Sequence, residues 1–234
     1  MAGKFIKGAL VEFMPTFSIP IPNVIIFQYN PEEMTHSWTQ VESVAAVNSK
    51  NESNPLAVKG VPGESFSFTI KMDAKDMIAD GSPIAEGIAT VSGIYSRLAA
   101  IEMLQFPTQA DAGSKLVGAV SAAAGLGTST APAREVPVMQ VPTVLFVWGP
   151  GRILPVRVTN LSITEKFHDA FLNPTHAEAT LGLRVLTPEE LKFVNGPLKE
   201  LAQGAYKYSQ TLREGLAVAN LANAVESVIG MLPI

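Results

Sequence analysis

Residues 65–73 read SFSFTIKMD, and the fold turns on that stretch. Phe66, Phe68, Ile70 and Met72 fall on one side of an extended chain, while Ser65, Ser67, Thr69, Lys71 and Asp73 fall on the other. Strict alternation with period two is the pattern of a strand with one buried and one wet face, which belongs to antiparallel sheets. Upstream, residues 24–29 (VIIFQY) form a short apolar run ended by Asn30-Pro31 and read as a buried strand. Residues 35–41 are expected to return as a second strand. Between these and the central stretch, residues 43–63 are rich in Asn, Ser, Gly and Pro, which predicts a loop or an extended arm.

Downstream the period changes. Ile84, Ile88, Val91, Tyr95, Leu98 and Ile101 recur at helical spacing, and Pro107 ends a helix predicted over 83–106. Residues 109–137 are dominated by Ala, Gly, Ser and Thr and are expected to form a flexible insertion. Residues 143–148 (TVLFVW), the turn Gly149-Pro150-Gly151 and residues 152–164 predict a β-hairpin, with Pro155 pushing its second strand toward a sheet edge or a bulge. Residues 178–186 supply another strand. Thr187-Pro188-Glu189-Glu190 has the cap, proline and acidic residues of a helix start. From Pro197 a long helix is expected, with Leu198, Leu201, Tyr208 and Leu212 at three-and-four spacing and many small residues.

The predicted class is α+β: an antiparallel β-barrel or sandwich with one central helix and a C-terminal helix. Residues 1–192 are expected to make the β domain, and residues 193–234 a helical extension.

Composition narrows the function. The chain has 234 residues, 47% of them hydrophobic and only 16% charged, which predicts apolar surface needing cover by other subunits. A well-buried monomer fits the same composition. A net charge of −4, with no Lys/Arg cluster, argues against nucleic acid as a partner. With no cysteine there is no disulfide, thiol nucleophile or Cys-ligated metal. Glu12 and the prolines at 15, 20 and 22 interrupt the apolar N-terminus before a signal or membrane span forms, so a cytoplasmic chain without membrane insertion is expected. Asn51-Glu52-Ser53 and Asn160-Leu161-Ser162 match the glycosylation pattern, which carries little weight without secretion.

Residue types that carry chemistry are sparse. His36, His168 and His176 lack the spacing of a metal pair, and no metal or cofactor is expected. Glu165 with His168 and Asp169 reads as a charged strand end rather than an acid–base group. Asp73 and Asp76 fit a strand-to-turn junction, and Glu189 with Glu190 a helix N-terminus. The G-x-S-x-G, phosphate-loop and H-E-x-x-H signatures are absent, and no catalytic residue is nominated. Trp38 and Trp148 lie in strand-like runs and are expected to pack.

A set of blocks in order carries a resemblance. They are Phe27-Gln28-Tyr29-Asn30-Pro31, Gly63-Glu64 before the strand ending Met72-Asp73-Ala74, Asp76, Gly93-Ile94 with residues 98–104, Phe146-Val147-Trp148-Gly149, Leu154-Pro155-Val156-Arg157, Glu165, Leu172-Asn173-Pro174, Ala177 and Val185-Leu186. Over about residues 5–192 the chain resembles the tube-like adaptor proteins of contractile injection systems, the phage-tail-like particles of bacteria. The resemblance implies a fold of phage tail-tube type, no catalysis, and a hexameric ring coaxial with an inner tube. Its implied partners are further copies, the inner tube protein, and either the baseplate hub and spike or the cap protein. Family members that carry a LysM domain after this module sit in the baseplate; this chain has an Ala-rich helix there instead. A tube initiator at the baseplate and an adaptor at the cap both remain open. Candidate subunit contacts are Asn48, Asn51, Asn54 and Val58 in the arm, Pro155 at a sheet edge, and Leu201, Tyr208, Leu212 and Leu216 on the C-terminal helix. From a different class, a monomeric β-barrel holding a small ligand or glycan near Trp148 fits the same strands.

Overall fold

The computed structural model describes residues 6–14, 21–40, 58, 60–79, 92–107, 141–194 and 198–231. Seven strands form one antiparallel sheet: β1 (Ala9–Met14), β2 (Ile21–Ile26), β3 (Met34–Thr39), β4 (Gly63–Asp73), β5 (Val144–Val147), β6 (Ile153–His168) and β7 (Pro174–Val185). Their order across the sheet is β2-β1-β5-β6-β7-β4-β3. Among the described residues the helices are α1 (Ala74–Ala79), α2 (Tyr95–Met103) and α3 (Leu198–Met231), with one 3-10 turn over Glu190–Phe193. The α+β class therefore holds.

The expected barrel is not closed: among the described residues no ladder joins β2 to β3. The sheet is nevertheless curled. Flat, six strand spacings would separate β2 from β3 by about 29 Å, yet the chain links them through residues 27–33, which are not extended. Two side-chain amides on this link hold opposite halves of the sheet. Gln28 Nε2 donates to Asp73 O and its Oε1 accepts from Asp73 N, both at 2.9 Å, where β4 ends. Asn30 Oδ1 accepts from Gly8 N, and its Nδ2 donates to Ile6 O, just before β1, again at 2.9 Å. Each amide presents the donor and acceptor that a neighbouring strand would have offered.

The concave face is the core. Phe66, Phe68, Ile70 and Met72 of β4 are all buried, as their alternation requires. They meet Leu154, Val156 and Val158 of β6, and Ala177, Ala179, Leu181, Leu183 and Val185 of β7. Phe27, Phe66, Phe68, Phe146 and Trp148 form a connected group of rings. Ile94, Leu98, Ile101 and Leu104 insert the apolar face of α2 into the same core. Tyr95, expected on that face, is instead exposed. The earlier part of the predicted helix, with Ile84, Ile88 and Val91, lies outside the described residues, as do the predicted insertion at 109–137 and most of the 43–63 arm.

Two readings of strand position are corrected. The run 24–29 is not a strand buried on both sides: β2 ends at Ile26 and alternates, with Ile25 buried and Val24 and Ile26 exposed. One face of the sheet meets solvent, so alternate side chains of β2 are exposed. Pro155 is neither at an edge nor at a bulge, since β6 lies between β5 and β7. The Val156↔Val185 pair begins the ladder with β7, and Leu186 N donates to Pro155 O just beyond it. The missing proline donor thus falls where β7 has already ended. The bulge lies further on, between Val158 and Asn160.

Past that end of β7, α3 takes over the pairing. Ser209 Oγ accepts from Ile153 N at 3.1 Å and donates to Ile153 O at 2.7 Å. Ser209 is buried, so Ser209→Ala leaves both backbone groups without their partner. A loss of about 1–3 kcal/mol of stability is expected, with faster amide exchange at Ile153; unchanged exchange there would show that water replaces the hydroxyl.

Candidate assembly interface

α3 attaches to the sheet through a small polar group centred on Glu64, whose position sequence reasoning missed. Glu64 opens β4 and is only 4% exposed. Its Oε1 accepts from His36 Nε2 at 2.7 Å and from Arg213 at 2.9 Å. The Arg213 guanidinium also lies over the Trp38 ring, 4.6 Å from its centroid, and His36 stacks on Phe66. The helix is thus bound to β4 by a charge pair and to the edge strand β3 by a cation–π contact at once. The charge at 213 and the acid at 64 are 149 residues apart, and nothing local in either segment marks the pairing.

Along α3 the expected apolar positions divide. Ala202 packs under Leu186 and Leu191, and Tyr206 touches both this cluster and the main core. Leu201, Tyr208 and Leu216 face solvent, and Leu212 is half-buried. Every described side chain from Glu214 to Leu221 is exposed, so the helix leaves the body there. Glu226 is the one charged residue in 215–231, an apolar composition for this part of the helix.

The remaining candidates are placed as follows. Val58 is exposed; Asn48, Asn51 and Asn54 lie outside the described residues. Pro155 is buried within the protomer and has no surface for a neighbour, which removes it from the contact set. In place of Pro155, the exposed large apolar side chains on the two edge strands are Val24 and Ile26 on β2 and Trp38, beneath Arg213, on β3. Val24 and Ile26 are within the apolar run that had been read as buried.

Groups weighed for chemistry occupy structural positions. Asp73 Oδ1 accepts from Lys75 N at 2.8 Å, starting α1, and its Oδ2 lies 3.4 Å from His176 Nδ1. Asp76 is exposed. His168 reaches Glu165 at 3.6 Å at the end of β6. Asp169 holds the following turn, and the Asn173 side-chain and backbone bonds hold its carboxyl below the usual range. Burial works against the Glu190 carboxylate, but its bonds to Thr187 and Arg184 outweigh this and lower its pKa. Thr187 and Glu190 bond reciprocally, as a capping box does, at the 3-10 turn. Glu189 makes no side-chain cap. Trp148 packs on Phe27 and Phe146.

A cleft of about 690 Å³ lies on the outer face of β4, between Tyr29, Glu32, Thr35, Thr69, Lys71 and His176. Lys71 is engaged there by Glu32 at 2.7 Å. Among the described residues no three His, Asp or Glu side chains converge as metal ligands, and no helix is long and apolar enough to cross a membrane. Neither a family model nor a curated protein matches the chain.

Proposed function

We propose that this chain is a structural, non-catalytic subunit of a contractile injection system, forming a hexameric ring at one end of the inner tube. The observation that carries the reading is the curled, unclosed sheet. Among the described residues no further strand extends it beyond β2 or β3, and both edges carry exposed apolar side chains. A free edge invites pairing with another chain, and a closed ring of copies removes every such edge at once. The resemblance to tube-like adaptors, with a body of tail-tube type, supplies the number of copies and the neighbours: the inner tube protein on one side, and the baseplate hub or the cap on the other. The exposed length of α3 and the low charge of the chain agree with a protein that is covered when assembled.

Electron microscopy of purified sheathed particles bearing a gold-labelled copy tests the assignment. Label at the spike end makes the protein a tube initiator, and label at the far end makes it a cap adaptor. Well-formed particles without label would remove it from the injection system.

A further inference from the structure

β4 is longer than the edge strand beside it, and the difference leaves part of its border open. The ladder between β3 and β4 ends at Met34↔Phe68, whereas β7 stays paired with β4 as far as Asp73↔His176. Residues 69–73 therefore have a strand on one side alone. Gln28 shows which way their backbone groups point, because its side-chain amide bonds to both Asp73 N and Asp73 O at 2.9 Å. Those groups face away from β7. In an antiparallel strand the N–H and C=O of every second residue share a side, and the register of β4 with β7 is unbroken here. Lys71 and Thr69 thus turn their backbone groups the same way as Asp73. At Asp73 the Gln28 amide stands in for a strand, but among the described residues nothing outside the sheet bonds to the backbone of Lys71 or Thr69.

Pro31 explains why β3 starts so late. Its register, continued backward, would set Glu33 opposite Thr69 and Pro31 opposite Lys71. Pro31 has no N–H to give to Lys71 O, so the link cannot pair there and leaves the sheet. The cleft of about 690 Å³ is what remains, with Tyr29, Pro31 and Glu33 on the side of the link and Phe68, Thr69 and Lys71 on the side of β4. Glu32, Glu33 and Asp73 line it against a single lysine. Glu32 is paired with Lys71, and Asp73 bonds Lys75 N and meets His176. Glu178, opposite Lys71 on β7, is matched by Lys166. Glu33 is exposed and has no ion-pair partner among the described residues.

We propose that this cleft takes a short extended segment of a partner protein, which pairs through its backbone with Lys71 and sets a basic side chain against Glu33. The occupant follows from what the border lacks. A donor for Lys71 O and an acceptor for Lys71 N, side by side, are what one non-proline residue of an antiparallel strand supplies. The open border over residues 69–72 runs about 13 Å, the length of about four extended residues. The site is separate from the outer edges of β2 and β3, and it does not depend on ring formation.

The probe is the blocked peptide acetyl-Thr-Val-Arg-Val-Thr-amide, added to the isotope-labelled full chain and followed by nuclear magnetic resonance. Saturable shifts of the Thr69 and Lys71 amide signals are expected. N-methylation of the arginine removes its backbone donor and is expected to weaken binding about tenfold, the scale of one hydrogen bond. Glutamate in place of the arginine is expected to bind less well, and Glu33→Gln to erase that difference. Equal binding of the N-methylated peptide, or no shift at Lys71, overturns the backbone pairing; glutamate bound as tightly as arginine overturns the basic partner. Before any peptide is added, the Lys71 amide is expected to exchange faster than that of Met72, which faces β7. Equal protection of the two in the monomer means that the chain fills its own cleft, and protection that appears only as protein concentration rises gives the cleft to a second copy. Either result overturns the proposal.

Discussion

Truncating Phe146 to alanine is expected to lower the free energy of unfolding by about 4 kcal/mol. Phe146 is fully buried on β5, a strand paired on both sides. Its ring lies 5.4 Å from Phe66, 5.5 Å from Phe68 and 6.1 Å from Trp148, so its loss opens a cavity at the meeting point of three other rings. Those neighbours sit on β4 and beside the β5–β6 turn, elements locked by strand pairing, and collapse into the gap is limited. A domain is ordinarily stable by about 5–15 kcal/mol, so this change removes a large part of the margin. Urea denaturation checks it. A midpoint within error of the parent would mean that the core relaxes around the gap, contrary to the packing described.

Gly93→Ala is expected to cost about 3 kcal/mol or more. Gly93 has φ of +57°, and a Cβ there would stand 2.4 Å from the carbonyl oxygen of Pro174. The obstacle is backbone at the start of β7, which cannot swing aside as a flexible side chain would. To escape it, the entry to α2 has to lift from the sheet, drawing Ile94 N away from Pro174 O, its partner at 3.1 Å. Thermal denaturation with near-ultraviolet circular dichroism reads both the stability and the packing of α2. A loss below about 0.5 kcal/mol, the scale of an ordinary surface change, would show that the approach relaxes cheaply. Together the two variants separate failure of the core from failure of its helical cover.

What local pattern records was legible in the sequence, and what depends on distant partners was not. The alternation of Phe66, Phe68, Ile70 and Met72 is imposed by one buried face, and β4 follows it. The spacing of Leu201, Tyr208, Leu212 and Leu216 marked a helix with apolar positions to spare, and α3 has them. Whether a strand lies in the middle or at the edge is decided by its neighbours, so Pro155 was placed too far out; which face of β2 meets solvent is decided by what packs on the sheet, so Val24 and Ile26 were placed too far in. The bond between Glu64 and Arg213, and that between Ser209 and Ile153, join segments with no shared periodicity. Phe167, Phe171 and Leu172 follow no period, and their exposure on the turn between β6 and β7 depends on the bonds that Asp169 makes there.

The amides of Gln28 and Asn30 have a consequence for how the molecule meets others. A barrel closed by its own ladder consumes both edges to fix its curvature. In this protein two side chains on the link between β2 and β3 bond to backbone at the end of β4 and just before β1, without using either edge. The bend therefore belongs to the single chain, and under the assembly proposed above an incoming strand would meet a preorganised rim rather than a sheet that has to be reshaped. Curvature and edge availability, opposed in a closed barrel, are here independent of each other.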